Sequence, residues 1–136
     1  VYLFDTDVIT TIVKPHPPTS LISRLRVVPP ADQFISTVTI GEIVYGAMKS
    51  ARCEHYLSQL QQILLARVNV LDFDAGAAYA YGELRARLEK SGRPLAHLDL
   101  QIAAIALAND LTLITGNLRH FTRVPALRVE NWLQMQ

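Results

Sequence analysis

The sequence predicts an α/β fold with a mostly parallel central sheet covered by helices on both faces. Short apolar or β-branched runs alternate along the chain with longer segments of helical periodicity, which is typical of parallel sheets with helical crossovers. The chain has 136 residues and is 50% hydrophobic, enough for one core but too short for a second domain of ordinary size. We therefore expect a single domain over residues 1–136.

Prolines and changes of periodicity mark the elements of the first half of the chain. An apolar run that stops at Asp5 predicts the first strand, and β-branched and aromatic residues after Pro30 predict the second. In the other segments apolar residues recur at intervals of three and four residues, which is typical of helices with one buried face. The predicted order is strand 1–4, helix 7–13, helix 19–27, strand 34–38, helix 39–50 and helix 54–67.

The second half follows the same alternation. Asp74 is a suitable N-cap for a long helix, and Gly92 followed by Pro94 is suited to end it. Residues 100–108 are apolar on every face, so we expect the most buried helix there. The predicted elements are strand 69–73, helix 74–90, helix 100–108, strand 111–114, a turn at 115–117 and an edge strand at 127–129.

The composition excludes several classes of protein. The single cysteine, Cys53, excludes an internal disulfide, and the four histidines are too far apart for zinc-ligand spacing. A net charge of +1 by itself gives no evidence about a nucleic-acid partner. Because the sequence has neither a signal peptide nor an apolar run of about 20 residues, we expect a soluble cytoplasmic protein.

Polar residues suited to a metal site fall near the ends of predicted strands. Asp5 ends the first strand, Asn117 follows strand 111–114, and Glu42 lies in the first turns of the helix after the second strand. Asp99 is at the start of the buried helix, where the helix terminus favours a carboxylate. Because ligands of open parallel sheets bind beyond the carboxyl ends of the strands, we expect these four residues to converge.

The expected cluster of acids has a chemical consequence. Three carboxylates within a few ångströms of each other would repel strongly unless a cation neutralised them. Oxygen ligands without His or Cys favour Mg²⁺ or Mn²⁺, and such an ion can activate water for phosphodiester hydrolysis. We therefore expect Asp5, Glu42 and Asp99 to bind a divalent metal.

Each of these residues also has a purely structural interpretation. Asp5, Asp7 and Asp99 are all suited to cap helices, and Glu42 opposite an apolar stripe is suited to be a solvated surface charge. Asn117 follows a glycine and is typical of a turn. Only the joint placement of these residues favours a functional site.

Five segments of the chain carry a resemblance to a known family. They are Phe4–Asp7, Ser36–Ile43 with Tyr45-Gly46-Ala47, Gly92–Pro94 with Asp99–Ala104, Leu113–Asn117 with Arg119 and Phe121, and Glu130–Trp132. In this order they resemble the PIN-domain VapC toxins of bacterial toxin–antitoxin systems, over nearly the whole chain. The family commonly has Asn at the position of Asp7.

The resemblance implies a PIN-like three-layer sandwich and an endoribonuclease that needs Mg²⁺ or Mn²⁺. It implies a homodimer that a VapB-type antitoxin inactivates by inserting a segment into the active-site groove, and it makes tRNA the expected RNA substrate. Asp5 and Asp99 would be the principal metal ligands and Glu42 would complete the acidic cluster. Asn117, where relatives have an acid or Asn, would be a catalytic-site residue that acts through water.

Two other functions stay open at this point. Asp5-Thr6-Asp7 after an apolar strand is similar to the nucleophile motif of haloacid-dehalogenase phosphohydrolases, but Lys14, Lys49 and Lys90 do not follow a late strand as that chemistry requires. The other alternative is a non-catalytic RNA- or protein-binding module that keeps the fold.

Overall fold

A five-stranded parallel sheet forms the centre of the protein. The computed structural model describes residues 1–66 and 68–134. The strands are β1 (Tyr2–Phe4), β2 (Gln33–Ser36), β3 (Asn69–Leu71), β4 (Thr112–Ile114) and β5 (Val129–Glu130). They lie in the order β3-β2-β1-β4-β5, and each neighbouring pair is parallel. The prediction of an α/β fold around a parallel sheet is therefore confirmed.

Seven α-helices connect the strands in the described part of the chain. They are α1 (Thr6–Ile12), α2 (Thr19–Val27), α3 (Thr37–Lys49), α4 (Cys53–Leu65), α5 (Ala75–Lys90), α6 (His97–Ala108) and α7 (Leu118–Phe121), and a short 3₁₀ helix (Pro30–Asp32) precedes β2. Among the described residues, none of these helices has the length and apolar character needed to span a bilayer.

The two faces of the sheet are covered by separate hydrophobic clusters. Leu3 and Leu113 belong to the cluster that contains the buried residues of α5 and α6. Their neighbours Phe4 and Ile114 belong to the other cluster, with residues of α1 and α2 and with Trp132. Because successive side chains of a strand point to opposite faces, the protein has three layers, as predicted. The expectation of one domain over residues 1–136 stays a prediction.

The boundary between β2 and α3 differs from the prediction. β2 ends at Ser36 rather than Val38, because Thr37 and Val38 already belong to the helix. The Ser36 hydroxyl accepts a hydrogen bond from the Thr39 N–H at 3.0 Å and so caps α3. This local cap outweighs the β-propensity of the two residues that follow it. The shift brings Glu42 to the sixth residue of α3.

Boundaries also differ in the second half. α6 begins at His97, and its N-cap is Ala96, which makes no side-chain capping bond. The interpretation of Asp99 as a helix cap is therefore wrong, since it is the third residue of the helix.

α7 was not predicted because four residues are too short for a periodic pattern. The predicted end of α4 at Arg67 lies outside the described residues, and the edge strand starts at Val129, where the predicted one ended.

The order of the strands decides where the site lies. The chain passes from β1 to β2 and β3 on one side, and β4 and β5 pair on the other side of β1. The carboxyl ends of β1 and β4 therefore flank the point where the strand order reverses, which is where open parallel sheets bind ligands. Asp5 directly follows β1, and Thr115 directly follows β4.

The end of α5 has the local geometry that the sequence predicts. Gly92 has a φ of 70°. Its N–H donates to the carbonyl of Glu89 at 3.1 Å, and the N–H of Arg93 donates to the carbonyl of Leu88 at 2.8 Å. This pair of bonds is a Schellman motif, which requires a residue with positive φ. At the other end, Asp74 accepts from the N–H of Ala77 at 2.9 Å and caps the helix, as predicted.

Two glycines of this region should respond oppositely to the same substitution. We expect Gly92→Ala to lower the free energy of unfolding by about 1 kcal/mol, because a Cβ is strained at positive φ. Gly82→Ala should raise it by up to about 1 kcal/mol, because Gly82 is exposed within α5 and an added Cβ would meet nothing within 4 Å. Urea denaturation measures both. Changes of the same sign would contradict this account of the helix end.

Candidate active site

Asp5 joins the carboxyl ends of β1 and β4. Its N–H donates to the carbonyl of Ile114 at 2.9 Å. One carboxylate oxygen accepts from the N–H of Thr6 and the other accepts from the hydroxyl of Thr115, both at 2.8 Å. The side chain thus caps α1, as one interpretation of the sequence proposed, and also reaches the neighbouring strand. The residue is only 7% exposed.

The surroundings of Asp5 disfavour its ionised form. Burial raises the pKa of Asp5 to about 6, and the charges of Asp7 and Asp99 also raise it, whereas the hydrogen bonds from Thr115 and Thr6 lower it. A nearby cation would offset both the burial and the repulsion. Asp99, although distant in sequence, is therefore close enough to affect Asp5 electrostatically.

Asp7 fastens α1 to the turn after β4. Its Oδ2 accepts the N–H of Gly116 at 2.9 Å, while its Oδ1 is buried and has no hydrogen-bond partner. Burial raises the pKa of Asp7 as well. A Cβ at Gly116 would lie 2.8 Å from that same Oδ2, so the close approach requires glycine. Asp7 does not cap α1, since Asp5 does.

Glu42 reaches α1 through a hydroxyl. The Thr6 side chain donates to Glu42 Oε1 at 2.7 Å and lies 3.1 Å from the hydroxyl of Thr39. Thr39 is fully buried and is bonded to the Ser36 cap. Glu42 is therefore held on the inner side of α3, and its interpretation as a solvated surface charge is wrong.

Asp99 and Asn117 meet at a histidine. His120 Nδ1 lies 2.8 Å from Asn117 Nδ2 and 3.6 Å from Asp99 Oδ2. The N–H of Asn117 donates to the Thr115 hydroxyl at 3.0 Å, the same hydroxyl that donates to Asp5. Sequence reasoning missed His120 because it missed α7. The signal available was its position three residues after Asn117, a spacing at which helical side chains meet.

The structure links three of the four predicted residues through two threonines, while Asp99 lies beside His120. Thr6 contacts Asp5 and Glu42, and Thr115 contacts Asp5 and Asn117. Within residues 1–66 and 68–134, however, no three His, Cys, Asp or Glu side chains lie together closely enough to hold a metal ion. The expected tight cluster of three carboxylates is therefore not preassembled. In this arrangement the Glu42 carboxylate accepts a hydrogen bond from the Thr6 hydroxyl.

A groove leads away from the site. Its volume is about 670 Å³, and it begins at Thr6 and Glu42 and continues between α1, α3 and α4. Apolar residues form much of its wall: Ile9, Val13, Ile43, Ala47, Leu60 and Ile63. Two cationic residues, Lys14 and Arg52, also line it. The groove therefore combines an acidic residue at the site with an apolar wall and basic residues.

Fold and site together define an α/β protein with a carboxylate-rich site at the switch point of a parallel sheet, the point where the strand order reverses. Residues 2–127 match the PIN domain family. "Ribonuclease VapC2" of Rickettsia felis is 36% identical over 97% of this chain and 98% of the relative. "tRNA(fMet)-specific endonuclease VapC" of Shigella flexneri is 37% identical over 96% of this chain and 97% of the relative.

A solved structure has the same fold. In the crystal structure of VapBC2 from Rickettsia felis bound to a DNA fragment from their promoter, the matching chain has a TM-score of 0.86 and 35% identity. The match covers 96% of this chain and 98% of that one. The chain therefore belongs to the PIN-domain family and, within it, to the VapC ribonucleases, as the resemblance implied.

The raised pKa of Asp5 predicts how pH affects the stability of the metal-free protein. With its native pKa at about 6, against 3.8 ordinarily, the native state keeps this proton to a higher pH than the unfolded chain does. The contribution of Asp5 to the free energy of unfolding should therefore fall by about 3 kcal/mol as the pH rises through this interval. Asp5→Asn removes this titration and keeps an acceptor for the N–H of Thr6.

The measurement is urea denaturation in EDTA between pH 4 and pH 7.5. The stability gain of Asp5→Asn over the unsubstituted protein should be small at the acid end and grow toward neutral pH. Asp72→Asn alters an exposed carboxylate and serves as the control, with no such trend expected. Parallel pH profiles for Asp5→Asn and the unsubstituted protein would refute this assignment.

Proposed function

We propose that the protein is a metal-dependent endoribonuclease that hydrolyses phosphodiester bonds in RNA as the toxin of a toxin–antitoxin pair. The observation that carries the proposal is the buried carboxylate of Asp5 at the switch point, next to the charge of Asp99, in a chain of the VapC family. Two acids in this environment are suited to a cation and to a phosphate bound to it.

The residues fit Mg²⁺ or Mn²⁺. The donor atoms are carboxylate and amide oxygens, which these hard ions prefer. Mg²⁺ usually takes only one or two protein carboxylates and keeps several waters, so a preassembled group of three is not required. The buried Oδ1 of Asp7 is a further oxygen without a partner. We assign Asp5 and Asp99 as the principal ligands and Glu42 as a ligand that acts directly or through water.

The chemistry that a bound divalent cation supplies is a lowered pKa of water and stabilisation of charge on the phosphate. The chain's own residues orient the reaction. Thr6 and Thr115 fix both oxygens of Asp5 by hydrogen bonds, so that this carboxylate keeps one orientation. Glu42 is suited to accept a proton from an attacking water beside the site. Asn117 supplies a neutral oxygen that positions water.

The groove supports a VapB-type antitoxin as the partner. The Rickettsia felis relative was crystallised as a VapBC2 complex. An apolar segment would fit the wall formed by Ile9 and Ile43, and a basic side chain at its end would neutralise Glu42. Such a segment would cover the site and exclude RNA. We also propose a homodimer, as the family resemblance implies.

The proposed substrate class is tRNA. The Shigella flexneri relative is named a tRNA(fMet)-specific endonuclease, and this chain matches it over nearly its full length. The family match does not support the haloacid-dehalogenase alternative. A non-catalytic module that keeps the fold is distinguished by the experiment below.

We predict that the purified chain, freed of antitoxin, cleaves tRNA when Mg²⁺ or Mn²⁺ is added and stops when EDTA is added. Asp99→Asn should lower the cleavage rate by roughly 100-fold or more, because it removes a charge that the cation needs. It should leave the melting temperature nearly unchanged, because Asp99 caps no helix. Gel analysis of labelled tRNA gives the rate.

Glu83→Gln is the matched control, since it removes an exposed carboxylate on α5 and should retain the full rate. Cleavage that persists in EDTA would overturn the metal-dependent mechanism. Full activity of Asp99→Asn would remove this residue from the site. Tight binding of tRNA without any cleavage would favour the non-catalytic module.

A further inference from the structure

His120 is the one histidine whose ring lies between two proposed site residues in the described part of the chain. The sequence pattern assigned it no role. We propose that His120 is a positioning residue that fixes the side-chain amide of Asn117, so that its oxygen rather than its nitrogen is available at the carboxylates. The inference deepens the proposed function and rests on it.

The first step is the direction of the hydrogen bond. The amide nitrogen of Asn117 is only a donor, and it lies 2.8 Å from His120 Nδ1. Nδ1 must therefore accept, which means that it carries no hydrogen and that the ring proton is on Nε2. With the amide in this orientation, the bond therefore specifies the tautomer of the histidine.

The second step concerns Asp99. Its Oδ2 lies 3.6 Å from the same Nδ1. A ring nitrogen without a hydrogen cannot donate to a carboxylate, and the distance is longer than a normal hydrogen bond. His120 therefore does not form a hydrogen bond with Asp99, which leaves that carboxylate available to a cation. A hydrogen bond to Asp99 would need a hydrogen on Nδ1, and an ion pair would need hydrogens on both ring nitrogens.

The third step explains why an asparagine needs such a partner. A carboxylate presents two equivalent oxygens, so turning it over changes nothing. An amide presents one oxygen and one NH₂ group, and a half-turn would direct a donor at the site. The backbone of Asn117 is already fixed by its bond to the Thr115 hydroxyl. The flip of the side chain is the remaining freedom, and a His120 Nδ1 that carries no hydrogen accepts only from the orientation that turns the NH₂ group toward the ring.

The fourth step concerns how α7 places the His120 ring beside the Asn117 amide. Asn117 is the residue before α7, and His120 is the third residue of that helix. Residues three apart on a helix are neighbours, so the short helix brings the ring beside the amide. His120 is only partly buried, so its ring is held by this geometry and not by enclosure in the core.

Matched substitutions separate positioning from simple packing. His120→Asn places an oxygen two bonds from Cβ, as Nδ1 is, and keeps an acceptor for the amide. His120→Ala removes the acceptor. We expect His120→Ala to weaken Mn²⁺ binding, measured by calorimetry, and to lower the tRNA cleavage rate by roughly 10-fold. His120→Asn should retain most of both. His16→Ala, at an exposed position before α2, is the control.

A double-mutant cycle tests the mechanism. In the Asn117→Asp background both terminal atoms are oxygens, so His120→Ala should change Mn²⁺ affinity and rate by less than about 2-fold. Equal losses in the two backgrounds would overturn the proposal, because His120 would then act independently of Asn117.

The tautomer gives a readout that needs neither metal nor substrate. In the ¹⁵N-labelled, metal-free protein at pH 8, long-range ¹H–¹⁵N spectra should assign the proton of His120 to Nε2. A proton on Nδ1 would overturn the proposal and favour a bond to Asp99. If no RNA is cleaved under any condition, the proposed function fails, while the tautomer and Mn²⁺ measurements still decide the role of His120.

Discussion

The parallel pairing of β1 with β4 is the constraint on which the site depends. It brings the end of β1 beside Thr115, whose hydroxyl donates to Asp5 across 110 positions of sequence. The N–H of Asp5 also donates to the carbonyl of Ile114, so the main chain and the side chain of Asp5 are both tied to the neighbouring strand. Any loss of this register would separate Asp5 from Thr115 and Asp7 from Gly116.

The fold keeps a carboxylate where burial is unfavourable. Burial raises the pKa of Asp5 to about 6, and Asp7 beside it also has a raised pKa and a buried oxygen without a partner. An apolar residue would be more stable at such a position in the absence of a cation. A loss of folding stability at the site residues is typical of sites that bind a charged ligand. The hydrophobic clusters on both faces of the sheet offset that cost.

Neutral groups hold the acids in different directions. Thr6 holds Glu42 toward α1, Thr115 holds Asp5 toward β4, and Asp99 lies toward His120. This arrangement limits the repulsion among the carboxylates, because no three of the acidic, histidine or cysteine side chains in the described ranges come together. The groove begins at Thr6 and Glu42. A partner bound there would contact the site without displacing Asp5.

The sequence by itself determined the features that depend on neighbouring residues. Helix 19–27, the Asp74 cap and the Gly92 turn were predicted correctly because prolines, caps and glycines act within a few residues. The alternation of strands and helices determined the parallel sheet, and the family resemblance determined the PIN fold. The Asp99 cap failed because the helix starts at His97, three residues earlier than that interpretation required.

Only the tertiary structure decided the contacts of the site. The bond between Asp7 and Gly116 and the link from Thr6 to Glu42 join residues that are far apart in sequence, and no local pattern indicates them. The tight carboxylate cluster was expected from the placement of its residues near strand ends, whereas hydroxyl hydrogen bonds set the directions of the side chains. The place of His120 beside Asn117 was not predicted, because it depends on α7 and a helix of one turn gives no periodic pattern in the sequence. Sequence fixes which groups reach one edge of the sheet, and packing fixes where their atoms point.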